Sequence, residues 1–407
     1  MQTIQEKQPG RLWTTWLLGA CSLLLVAAVV AAPEQVYEAS GQGLKLWWSI
    51  VFPALLPFLM LSEMLIASGF VHGLGVLLAP LMRACFRLPG RSGWVLALGM
   101  TAGGQAAAEA ARQLGGRDGL GERQIRLLTG IAGFCNPMTI VLVIGAGFLH
   151  SPSTGYMLLL VHWITGMLAG MISVRLFGTK AKAAQQGTQA AVSSRGSVLR
   201  PSMLRALYAE MAAARQRDGR SFGRLLGETV SNAVQTLMLI GGFIIFFAVI
   251  TRLLNIYLTP QAPMLLWPAL LEQHLGAHSA VRFFGDPRMQ AAAIGAILSW
   301  GGVSGLMQII AITKPADRGF SFAITRFLHA GMSFLVMLLL WRPWQQFTSF
   351  AVPAYLELLP VREGTVDHSI DRLLTLAAAP FALLLAILGV LVAASLLISW
   401  RTRRSSR

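Results

Sequence analysis

Residues 299–308 read Ser299-Trp300-Gly301-Gly302-Val303-Ser304-Gly305-Leu306-Met307-Gln308. An apolar run from Ala291 to Leu298 leads into them, and Ile309 to Ile312 continues beyond. A Gly pair inside a helix-length stretch frees the backbone to leave helical geometry or lets another backbone approach closely. Ser304 and Gln308, four residues apart, then share one helical face. An earlier stretch has the same make-up: Gly99-Met100-Thr101-Ala102-Gly103-Gly104-Gln105 follows an apolar run and opens a Gln-bearing segment. In a membrane protein, unwound backbone survives at depth only where protein buries it or water wets it. Two such breaks therefore mark a cavity.

The composition puts the chain in a membrane. Of 407 residues, 55% are hydrophobic and only 12% charged, against about 25% charged in an ordinary soluble domain. A large water-soluble enzyme is excluded. Lys and Arg outnumber Asp and Glu by 33 to 17, giving +16. In a chain this apolar the excess reads as basic cytoplasmic loops rather than a nucleic-acid surface. Cys21, Cys85 and Cys135 have no paired spacing, so they define neither a disulfide framework nor a zinc site. No phosphate-binding Gly-Lys-Ser/Thr loop, no His-Glu-x-x-His motif and no nucleophile–base pair occurs. The expectation is a non-enzyme with no metal and no cofactor. His274 and His278 stand four apart near Glu272, and they read as surface groups rather than a metal site.

Six apolar runs are long enough to cross a bilayer at 1.5 Å per residue: Leu12 to Ala32, Leu46 to Gly69, Met157 to Phe177, Val230 to Leu253, Phe322 to Trp341 and Leu373 to Trp400. Shorter apolar pieces lie between them. The stretch from Gly178 to Leu226 carries nine Lys or Arg against Glu210 and Asp218, and the C-terminus carries Arg401, Arg403, Arg404 and Arg407. Both belong on the cytoplasmic side. The expected organisation is an N-terminal transmembrane anchor (1–40), a first repeat (41–177), a basic cytoplasmic linker (178–226), a second repeat (227–342), an external loop (343–372), and a C-terminal transmembrane helix with a basic tail (373–407). The linker is expected to hold a loose amphipathic helix around Leu204 to Met211 and to meet anionic lipid. The expected fold class is an all-α polytopic membrane protein. Its two related repeats have interrupted half-helices meeting near the bilayer midplane, as in many secondary transporters.

Polar groups in apolar surroundings supply the candidate site. Helix starts after the two breaks present free backbone N–H groups, which hold anions; this selects Thr101, Gly103, Gly104 and Gln105 on one side and Gly301, Gly302, Ser304 and Gln308 on the other, with helix packing through small residues the rival reading of the second set. Asn136, ahead of Pro137, suits a helix cap at membrane depth. Asn232 adds a polar group on the long helix of the second half. Glu63 is costly within a span unless paired or wetted, so it is an ion or coupling candidate. Glu109 shares a face with Gln105 and Arg112, and reads either as an ordinary ion pair or as a second coupling group. His162 and His329, each within a span, read as bonds to neighbouring helices.

Trp47 to Leu65, the TAGGQAAAEAARQL run ending at Leu114, Gly133-Phe134-Cys135-Asn136-Pro137 and the SWGGVSGLMQII run ending at Ile310 resemble the family of the sporulation integral membrane protein YlbJ (stage V sporulation protein V), with its nucleoside-recognition or Gate repeat. The resemblance runs from about Leu44 to Trp341 and rests on the order of short motifs. It implies a polytopic protein of endospore formers, distantly similar to concentrative nucleoside transporters. It also implies movement of dipicolinic acid from the mother cell across the outer forespore membrane. The first Gly-rich turn reads Thr101-Ala-Gly-Gly where the family pattern reads Ser-Gly-Tyr-Pro, a departure that bears on substrate more than on fold. The expected partner is thus a small anion, dipicolinate, with Trp300 or Phe134 stacking on its ring; an oligomer is compatible with this reading. A nucleoside or nucleobase carrier and a non-transport scaffold for spore-envelope partners are the alternatives.

Overall fold

In hydrocarbon every backbone N–H and C=O must find its partner within the chain, so apolar runs become helices. The computed structural model of the protein describes residues 10–118, 120–177, 203–261, 263–313, 320–357, 389–390 and 392–398. Among these residues every regular element is helical. Five stretches are long and apolar enough to cross a membrane: Pro33–Ala67, Pro152–Phe177, Phe222–Tyr257, Pro287–Thr313 and Phe320–Thr348. The pair Phe70–Phe86 and Gly90–Ala102, bent by 115°, makes a sixth if counted as one crossing. The chain is an all-helical, multi-pass integral membrane protein. The first part of the expected linker (178–202), residues 358–388 and the basic tail lie outside the described residues, and with them the second half of the expected external loop and most of the last span.

The first half begins with α1 (Gly10–Ala31), whose side chains are mostly exposed. The first long span is α2 (Pro33–Leu46), a π-helical turn (Trp47–Val51) and α3 (Phe52–Ala67). Pro53 has no N–H to give the carbonyl four residues back, and the turn before it widens. Glu34 sits in the first turn of α2, where a carboxylate suits the free N–H groups. Then follow α4 (Phe70–Phe86), α5 (Gly93–Ala102), α6 (Gly104–Asp118), α7 (Glu122–Ile131), a π-helix (Thr139–Phe148) and α8 (Pro152–Phe177).

The second half contains α9 (Met203–Asp218), α10 (Phe222–Tyr257), α11 (Leu266–Leu271), α12 (Gln273–Phe283), α13 (Pro287–Trp300), α14 (Gly302–Thr313) and α15 (Phe320–Glu357). Helix α10 lies along α2 and α3, and Trp47 Nε1 donates to the Leu237 carbonyl across that seam at 2.9 Å. Helix α8 packs against α13 and α15, with Trp163 fully buried there.

Two segments differ from the sequence expectation. The helix expected to be loose around Leu204 to Met211 is the full helix α9, seated on α4. Its Met211 side chain fills the space that a Cβ on Gly73 would occupy. Helix α15 does not stop at Trp341 but continues to Glu357, through the first part of the expected external loop. Trp341 and Trp344 pack against the core, and Trp344 Nε1 donates to Ser153 Oγ at 3.2 Å, which holds the extension in place.

Candidate functional site

Both glycine breaks occur where the composition placed them. Gly103 ends α5 at φ +99°, and Gly301 and Gly302 part α13 from α14 at φ +81° and +75°. These are left-handed conformations that glycine adopts without strain. The first break is held by a third irregular stretch, residues 132–136. The N–H of Gly104 donates to the Phe134 carbonyl at 2.7 Å. Asn136 Oδ1 accepts the Met138 N–H at 2.8 Å, capping the helix that follows, while its Nδ2 donates to the Ala102 carbonyl at 3.4 Å. Asn136 is thus both cap and tie.

The breaks enclose a cavity of about 410 Å³, within the range of roughly 300–1,000 Å³ usual for small-molecule sites. Gly103, Gly104, Gln105 and Asn136 line it from the first half, with Glu63 of α3. Asn232, Gly301, Ser304 and Gln308 line it from the second. Gln105 Nε2 donates to Gln308 Oε1, and Gln308 Nε2 to Ser304 Oγ at 3.1 Å, so a polar chain crosses from one half to the other.

Three sequence candidates are not in the lining. Thr101 Oγ1 donates back to the Ala97 carbonyl at 2.9 Å. Gly302 packs against Leu271, whose carbonyl oxygen lies 2.7 Å from where a Cβ would stand. Glu109 forms the ordinary pair: Arg112 Nε reaches Oε2 at 2.9 Å and Nη2 reaches Oε1 at 2.5 Å, both side chains well exposed. Those hydrogen bonds from Arg112 hold the Glu109 carboxyl below the usual carboxylate range.

Glu63 is paired. Its Oε1 accepts from Arg220 Nη1 at 3.1 Å and from Asn232 Nδ2 at 2.9 Å. Arg220, at the start of the second half, also binds Asp218 at 2.7 Å and Glu228 at 3.0 Å. Hydrogen bonds from Arg220 hold the Asp218 carboxyl below its ordinary value. The amide of Asn232 is therefore engaged with Glu63.

A family model described as "Gate: Nucleoside recognition" matches residues 48–151. Over 348 residues the chain is 33% identical to "Sporulation integral membrane protein YlbJ" of Bacillus subtilis (strain 168), covering 81% of this chain and 83% of that one. The chain belongs to the YlbJ family. No solved structure matches it. The Gate match takes in the first break and its Asn136 tie; the second break lies beyond it but within the half that the YlbJ likeness extends into.

Sequence reasoning missed the charged groups deepest in this YlbJ-family site. Arg326 of α15, 4% exposed, lines the cavity. Its Nε donates to the Ser299 carbonyl at 2.8 Å, Nη1 to the Gly133 carbonyl, and Nη2 to His329 Nδ1 at 2.8 Å. With Nδ1 accepting, His329 carries its proton on Nε2 and donates to the His162 carbonyl at 2.8 Å. His162 Nε2 accepts the Cys135 N–H at 2.9 Å, so its Nδ1 donates to Ser299 Oγ at 3.0 Å. Both imidazoles are fixed as neutral tautomers that join α8 and α15 to the irregular backbone. The signal was available: Arg326 is the only charged residue between Phe320 and Trp341, and an ionisable group within a span marks function by default.

His274 and Glu272 were read as surface groups; they are buried, 3% and 4% exposed, in the cavity wall. Helix α11 is too short, and α12 too mixed in polarity, to announce this. Trp300 has one face stacked on Phe327 at 4.3 Å, and Phe134 meets His162 and His329 edge-on. The stacking role expected of these two rings is largely taken by neighbours.

Proposed function

We propose that the protein is a carrier for a small organic anion, dipicolinate, working by alternating access in the outer forespore membrane. The observation that carries this reading is Arg326. A buried guanidinium is costly unless a negative charge pairs with it directly, and the hydrogen-bond partners of Arg326 among the described residues are two carbonyls and a neutral imidazole, with Glu272 in the same cavity wall bonded to His274 and Leu275 instead. It lines a cavity bounded by both broken helices, and helix starts there add partial positive charge. Gln105, Asn136, Ser304 and Gln308 provide donors around the rim for carboxylate oxygens. A planar dicarboxylate meets that set of groups and gives Arg326 an ionic hydrogen-bond partner of its own; an uncharged nucleoside gives it none. The two breaks, one in each half, fit a pair of repeats that rock about a common site. The basic stretch 178–226 fits contact with anionic lipid on the cytoplasmic side.

The test is uptake of labelled dipicolinate into proteoliposomes by wild type, Asn136→Ala, Gln308→Ala and Arg326→Gln. Saturable uptake by wild type that is lost in the variants supports the reading. Saturable uptake of nucleosides with none of dipicolinate replaces it with the nucleoside carrier, and absence of both in vesicles holding folded protein favours the scaffold.

A further inference from the structure

We infer that the cavity takes up a proton together with its anion, and that His274 is the group that holds the proton. This rests on the carrier reading above. Glu272 caps α12 with one carboxylate oxygen, Oε2, which accepts the Leu275 N–H at 2.8 Å. Its other oxygen, Oε1, lies 2.7 Å from His274 Nδ1. That contact places the proton of neutral His274 on Nδ1 and leaves Nε2 as the basic nitrogen. Nε2 is fully buried and has no hydrogen-bond partner. Every nitrogen of His162 and His329 is engaged; that of His274 is not.

An empty imidazole nitrogen is a base, and the buried carboxylate on the ring's other nitrogen stabilises the cation formed when it takes a proton. With His274 neutral, Arg326 and Glu272 leave the inner cavity at net zero, since Glu63 is matched by Arg220. A proton on His274 completes an ion pair with Glu272 and takes the inner cavity to net positive. It also turns Nε2 into a donor in need of an acceptor, which a carboxylate arriving in the cavity supplies. Anion and proton then bind cooperatively, each raising affinity for the other by the same factor.

The surroundings add little competing charge. Helix α11, the π-helix and α14, all packed on α12, carry no titratable side chain. Helix α13 brings Arg288, whose Nη2 is bound to the Leu338 carbonyl at 3.0 Å. Helix α10 brings Arg224, Glu228, Arg252 and Tyr257, with Glu228 bound to Arg224 and to Arg220. On α12 itself His278 meets Phe148 edge-on, and Arg282 stands at the far end. Cys135 and Arg326 are the remaining ionisable groups in the cavity wall.

The experiment follows labelled dipicolinate and lumenal pH together in proteoliposomes with an inward anion gradient and no initial pH gradient. Wild type is expected to acidify the lumen in a fixed ratio to anion entry, and in His274→Gln that ratio falls toward zero. An unchanged ratio in His274→Gln overturns the assignment. Anion entry without proton entry in wild type overturns the coupling while leaving the carrier intact. No anion entry by wild type sinks the carrier reading and this inference with it. Where His274→Gln no longer transports or folds, Glu272→Gln, which keeps the capping oxygen, is read by proton uptake on dipicolinate addition to purified protein in weak buffer. Uptake equal to wild type counts against the inference, and its loss with retained binding supports it.

Discussion

The side chain of Gln105, two residues past the first glycine break, donates to the side chain of Gln308, on the helix that follows the second. The two are 203 residues apart in sequence. Their bond joins α6 to α14 at the rim of the cavity, and Gln308 passes the chain on to Ser304. The halves thus meet through neutral amides that can exchange each other for a ligand.

Gln105→Ala and Gln308→Ala are expected to act as one unit. Each should weaken dipicolinate binding, and the double variant should be little worse than the weaker single one. A neutral hydrogen bond is worth about 0.5–1.5 kcal/mol net, so a double-mutant cycle on Kd should return a coupling energy of that order. Strict additivity would show that the two amides act separately.

Arg326→Gln removes the buried positive charge. A hydrogen bond to a charged group contributes about 1.5–3 kcal/mol, and each 1.4 kcal/mol or so is tenfold in Kd. Dipicolinate affinity should therefore drop by about ten- to a hundredfold. Pyridine-2,6-dicarboxamide, the uncharged analogue of the same shape, should bind the variant and wild type alike. Equal losses for both ligands would mean that Arg326 acts through packing of residues 133 and 299 alone.

What the sequence announces and what it hides follow from physics. The apolar runs state their helices, and Gly103, Gly301 and Gly302 state the breaks, because hydrocarbon and left-handed backbone each admit few residues. Gln105, Asn136 and Gln308 are legible because amides are out of place in such runs. The partner of each charge is not legible. Glu63 meets Arg220 from 157 residues away, and no local pattern foretells that. Glu272 and His274 are hidden for a different reason: α11 is only six residues long, α12 is of mixed polarity, and it is their packing on neighbouring elements, α13 and α14 among them, that buries the two residues.

The Arg220 cluster gives a pH dependence of known sign. Its hydrogen bonds depress the folded-state value of Asp218 below the ordinary 3.8. A carboxyl depressed on folding contributes stability that is present above the unfolded value and is lost as pH falls through the folded one. Thermal melting in detergent should therefore steepen its decline with acidity below about pH 4, the ordinary carboxylate range. Arg220→Ala should melt lower at neutral pH and lose much of that acid-dependent decline. An unchanged acid profile in Arg220→Ala would place the acid sensitivity elsewhere.

Gly301 and Gly302 should respond differently to the same substitution. Both have positive φ, and an L residue in that region costs roughly 1–2 kcal/mol. At Gly301 a Cβ meets nothing within 4 Å, so Gly301→Ala should show that strain alone in its melting temperature and keep its fold. Its methyl group enters the cavity wall, so dipicolinate uptake should fall more than stability does. At Gly302 a Cβ would stand 2.7 Å from the Leu271 carbonyl oxygen and 3.0 Å from Glu272 Cα, both backbone atoms that cannot swing aside. Gly302→Ala must push α14 away from the turn between α11 and α12, and should melt several degrees below Gly301→Ala. The displaced turn carries Glu272, so the proton-to-anion ratio should also change in Gly302→Ala and hold in Gly301→Ala. Equal melting temperatures for the two variants would mean that the close approach of α14 to Leu271 does not hold this junction together.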